Sequence, residues 1–198
     1  ISFDLLPRIV DAVPLLLVIA AFLVGAALSL LVATGIHLLQ REATTGDPRR
    51  LGAWMVYAAI CADLFSDGMM TGTGTAVSAS LGMLIAAAQL IANIPGGFAV
   101  AANLRTRQIS KRTRILSALA MFSGVVISAM LGFLALRDSS PLIQNAILAI
   151  FAGLLLLATI EDMIPEADAP RPSRWISTLA FSLGFAGLAL ASHYLLSG

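Results

Sequence analysis

Apolar residues run almost without interruption through six stretches of this chain, at about 12–39, 51–74, 78–104, 113–136, 141–164 and 174–197. Each is long enough for a helix of about 20 residues, the length that crosses a bilayer. None alternates polar and apolar residues with period two, so a membrane β-barrel is not indicated. Only elements that close their own backbone hydrogen bonds can span lipid, and the expected fold is all-α, a polytopic transmembrane helix bundle of six spans. The polar connections are short, so residues 1–198 are expected to form one transmembrane domain without a soluble module.

The charges on those connections orient the bundle. Arg41, Arg49 and Arg50 follow the first stretch, and Arg105, Arg107, Lys111, Arg112 and Arg114 follow the third. The segment from Thr71 to Ser80 carries no charge, and the turn Arg137 to Pro141 has one basic residue. The fifth connection is mixed, with Arg171 and Arg174 against Glu166 and Asp168. By the positive-inside rule the first, third and fifth connections face the cytoplasm, which leaves the C-terminus outside.

Composition narrows the class further. The 198 residues are 59% hydrophobic and 12% charged, against roughly 25% charged in soluble domains. Twelve Lys and Arg against eleven Asp and Glu give no polybasic surface for nucleic acid. A single cysteine, Cys61, excludes an internal disulfide and a cysteine-rich metal site. No phosphate-binding glycine loop, His-Glu-x-x-His motif or Ser/His/Asp set is present, so an enzyme is not expected. The chain begins at Ile1 without an initiator Met, and further sequence upstream is expected.

Against this apolar background, Asp63 and Asp67 stand one helical turn apart in the second stretch. A carboxylate at the centre of a bilayer costs about 2.5–3.5 kcal/mol or more, and a neighbouring acid adds repulsion unless a proton or cation lies between them. No Lys or Arg occurs between residues 51 and 104 to neutralise them. Gln89 and Asn93 repeat the one-turn spacing on the third stretch, just before Ile94-Pro95-Gly96-Gly97. Proline deprives the Ile91 carbonyl of its amide donor, and a helix interrupted there would offer backbone oxygen to an ion. Gly68 is a matching weak point in the second stretch, and Gly72 and Gly74 are expected to form its end and turn. Asn93 has two open readings, interhelical hydrogen bonding or ion binding. Glu161 and Asp162 close the fifth stretch, either as a solvated interfacial cluster or as a cation exit site. His37, His193 and the scattered methionines have no partners at ligand spacing.

Three segments resemble signatures of the ZIP-type divalent metal transporters. Asp63-Leu64-Phe65-Ser66-Asp67-Gly68 resembles the His-Asn-Phe-Thr/Pro-Asp/Glu-Gly of the family's fourth helix. Asn93-Ile94-Pro95-Gly96-Gly97 is similar to the fifth-helix Asn/Asp-Ile-Pro-Glu-Gly, and Glu161-Asp162-Met163-Ile164-Pro165-Glu166 to the acidic end of the seventh. The chain thereby resembles a divergent or truncated member covering helices three to eight; the family's first two either precede Ile1 or are lost, and in the latter case the chain no longer transports.

The resemblance implies a secondary transporter of zinc, manganese, iron or a similar divalent cation, in an inner (plasma) membrane of bacterial type. Its metal residues would be Asp63, Asp67 and Asn93, with Glu161 nearer the cytoplasm. Leu64, Ala92, Gly96 and Met121 stand where the family carries further ligands, so one partial site survives and favours harder, oxygen-liking ions. No cofactor is bound tightly in this reading; the cation is the substrate. The lipid bilayer is the other partner, and a homodimer or larger membrane complex is compatible. Two alternatives stay open: a non-transporting ZIP-derived scaffold subunit, and a proton channel using the same carboxylates.

Overall fold

A computed structural model describes residues 14–42, 48–160 and 174–196. They form six helices: α1 (Leu15–Glu42), α2 (Pro48–Val77), α3 (Ala79–Thr106), α4 (Lys111–Leu136), α5 (Pro141–Ala158) and α6 (Arg174–Leu196). No strand occurs among the described residues. Four helices, α3 to α6, are long and apolar enough to cross a membrane, and α1 adds a shorter apolar stretch, Leu15–Leu31. The outward faces carry Leu16, Leu90, Phe98, Phe122 and Phe181, all exposed. Such a surface suits a solvent of lipid tails, where apolar exposure carries no penalty.

Serines set three of the helix starts. Ser78, Ser110 and Ser140 each accept the backbone N–H three residues on, from Leu81, Thr113 and Ile143. Each hydroxyl thereby satisfies a donor that a helix start leaves without an intrahelical partner. Pro141 then occupies the first turn of α5, where its missing N–H is not needed. The α3 end has its own closure. Gln108, at φ 56°, donates its N–H to the Arg105 carbonyl at 3.0 Å, and Ile109 donates to Leu104 at 3.1 Å. This crossed pair is a Schellman ending, and Ile109 packs beside Leu104 as that motif favours.

Two close helix pairs dominate the packing, α2 against α4 and α1 against α5, with α2 also touching α3 and α5. Glycine makes both approaches possible. A Cβ on Gly132 of α4 would stand 2.5 Å from the Met69 carbonyl oxygen, and one on Gly68 of α2 would stand 2.5 Å from that of Val125. Gly25 and Gly153 play the same part between α1 and α5, each against a backbone carbonyl of the other helix. With hydration absent as a driving force in lipid, such backbone-to-backbone contact is a principal source of helix association.

Three sequence expectations are corrected here. Gly68 does not weaken α2, and Gly72 and Gly74 do not end it; the helix runs unbroken to Val77. The glycines lie at helix contacts, and Thr73 and Thr75 return their hydroxyls to the Met69 and Thr71 carbonyls at 2.8 Å each, so neither disturbs the ladder. Likewise α3 passes through Pro95 as one helix. Proline removes one amide donor, but the remaining bonds along a 28-residue helix hold it together.

Candidate metal centre

Helices α2 and α3 form a hairpin joined at Ser78, which fixes the register of their polar residues. Asp67 lies ten residues before Val77 and Gln89 ten after Ala79, so both stand about 15 Å from the turn at 1.5 Å per residue. Asp63 and Asn93 each lie one turn deeper. Equal depth turns into contact. Gln89 Nε2 donates to Asp67 Oδ1 at 2.9 Å, and Asn93 Nδ2 donates to Asp67 Oδ2 at 2.6 Å. Asp67 is 8% exposed and Gln89 7%, whereas Asn93 is half-buried. The carboxylate therefore lies between two helices with one amide on each oxygen.

Behind Gln89 stands Thr71. Its Oγ1 donates to Gln89 Oε1 at 2.6 Å, and the Met70 sulfur lies 3.8 Å from Gln89 Nε2. On the far side of α2, Gly68 faces the buried Ser128 of α4. Asp63, half-buried, precedes Asp67 by one turn and adds its negative charge to the same neighbourhood.

Of the four residues expected to hold metal, the structure joins Asp67 to Asn93 directly and places Asp63 next to them in sequence and charge. Glu161 lies outside the described residues. Gln89 and Thr71 were not among the expected ligands, although the one-turn spacing of Gln89 and Asn93 was visible. Met121, at the place of a family acid, packs instead beside Val100 and Leu104. No group of three or more His, Cys, Asp or Glu suited to a metal occurs among the described residues. What the arrangement offers is oxygen from carboxylates and carboxamides, a donor set for harder divalent ions.

Comparison with known families decides the class. The sequence model of the ZIP zinc transporter family matches residues 39–193. The chain belongs to the ZIP zinc transporter family. That match covers α2 to α5 and nearly all of α6, and so contains the Asp67 centre entirely. That family is one of integral membrane metal transporters, not enzymes, in keeping with the apolar helices of this chain. No solved structure matches the chain.

Proposed function

We propose that this ZIP-family protein is a secondary transporter that moves a divalent cation through a single centre formed by Asp63, Asp67 and Asn93. One observation carries this reading: a buried Asp67 carboxylate held between α2 and α3 by two neutral amides among the described residues, with a second acid one turn away. A cation is the natural counter-charge for a buried carboxylate that meets only neutral donors among the described residues. The oxygen-only set favours manganese or a similarly hard ion over zinc. The six helices act as one transmembrane unit, with the arginine-rich connections in the cytoplasm and the C-terminus outside. Glu161 receives the ion on the cytoplasmic side, and gating runs down the ion gradient or with protons, without a bound cofactor.

The test is metal uptake by the full-length protein in proteoliposomes. The Asp63→Ala/Asp67→Ala double variant is expected to lose saturable uptake of Mn²⁺ and Zn²⁺ while still purifying as a folded helical protein. Uptake at the native rate in that variant removes these residues from the transport path.

A further inference from the structure

The two amides that hold Asp67 differ in what stands behind them. Gln89 is engaged at both ends: its Nε2 donates to Asp67 Oδ1, and its Oε1 accepts the Thr71 hydroxyl at 2.6 Å. Turning that amide over would set Oε1 against a carboxylate oxygen, replacing a charge-assisted hydrogen bond with repulsion. Asn93 is engaged at one end only. Its Nδ2 donates to Asp67 Oδ2, while its Oδ1 accepts no hydrogen bond among the described residues. Turning it over gives up the same kind of bond to Asp67 but no second bond behind it, and presents a carbonyl oxygen that a cation at Oδ2 would accept.

We propose that Thr71 and Gln89 form a positioning relay that holds Asp67 in place, leaving Asn93 as the one amide that swings its oxygen onto an arriving divalent cation. The proposal rests on the ion-site reading of Asp67 and adds to it a division of labour. Gln89 stays a donor through the cycle and fixes Oδ1; Oδ2 and the Asn93 oxygen turn to the ion. Thr71 never touches the ion. It acts through Gln89, because its hydroxyl is the group that orients the amide. A preorganised carboxylate spares the ion the work of ordering its ligand.

Two substitutions at Thr71 separate this role from packing. Thr71→Val keeps the shape and removes the hydroxyl; Thr71→Ser keeps the hydroxyl and removes the methyl. In proteoliposomes of the full-length protein, with Mn²⁺ as the probe, Thr71→Val should raise KM about three- to tenfold, the worth of one hydrogen bond, with a smaller change in maximal rate. Thr71→Ser should restore KM. A native KM in Thr71→Val, or an equal defect in Thr71→Ser, overturns the relay.

Thermal unfolding of the metal-free protein provides a second reading that needs no transport. Thr71→Val should lower Tm in the native background and leave it unchanged in the Gln89→Leu background. Equal losses in both backgrounds overturn the relay. Failure of the ion site is read elsewhere, from native KM and rate in Asp67→Asn.

Discussion

Gly132→Ala probes how the centre is held, from a helix that supplies none of its proposed ligands. The new Cβ would stand 2.5 Å from the Met69 carbonyl oxygen and 3.2 Å from its carbon, both backbone atoms of α2. A carbon rests about 3.3 Å or more from a carbonyl oxygen, so α2 and α4 must part by about 0.8 Å. Overpacking of this kind costs about 1–3 kcal/mol. A glycine-to-alanine change also gains up to about 1 kcal/mol of helix propensity, which would mask part of the loss. Gly124→Ala removes that ambiguity. Gly124 lies on the same helix, and nothing stands within 4 Å of its would-be Cβ, so it gains the propensity without the clash.

The informative quantity is the difference between the two variants: about 1–3 kcal/mol, or roughly 2–12 °C in Tm for a chain of this length. Thermal unfolding of purified protein in detergent measures it. Transport should fall with stability in Gly132→Ala, because Met69 lies two residues from Asp67 on the displaced helix. Equal melting of the two variants, or a more stable Gly132→Ala, would refute the close crossing of α2 and α4.

Two further expectations concern the connections. Gln144→Leu removes the donor that reaches the Leu136 carbonyl at 2.8 Å across the α4–α5 turn, and should destabilise by about 1–2 kcal/mol, read as a lower Tm. Gln108→Gly relieves a left-handed residue that is not glycine, and should raise stability by about 0.5–1 kcal/mol after the added freedom of the unfolded chain is subtracted; a lower Tm would refute this account of the α3 ending.

The all-helical fold was legible because lipid imposes a simple rule, that long apolar runs form helices, although four of the six expected spans are long and apolar enough among the described residues. The Asp63–Asp67 spacing and the Asn93 partner were legible for the same reason, as exceptions to that rule. Glycine was misread. In water-soluble chains Gly68, Gly72 and Gly74 would weaken a helix, and the sequence of α2 does not reveal that α4 and α3 pass close enough to need them. The missing information lay on other helices, where Ser128 and Ala129 of α4 meet Gly68 and Gly72, and Ile85 of α3 meets Gly74. Gln89 escaped as a partner of Asp67 because the family pattern directs attention to Ala92 and Asn93. Helix register, counted equally from the Ser78 turn, selects Gln89 as well as Asn93.

The amides also bear on how tightly a cation can be held. Hydrogen bonds to a charged group contribute about 1.5–3 kcal/mol each, so the two on Asp67 supply about 3–6 kcal/mol, comparable to the cost of placing one carboxylate at the bilayer centre. Without an ion, the chain already holds this carboxylate largely compensated. A cation that displaces the Asn93 amide must exceed the bond it breaks, and it recovers only the difference. If Gln89 keeps its place, one bond is exchanged and the site retains useful affinity; if both amides must leave, the competition doubles. A carrier needs the first arrangement, because an ion that had to break both bonds would be held too weakly to be captured. The position of Thr71 behind one amide and not the other is what separates the two cases.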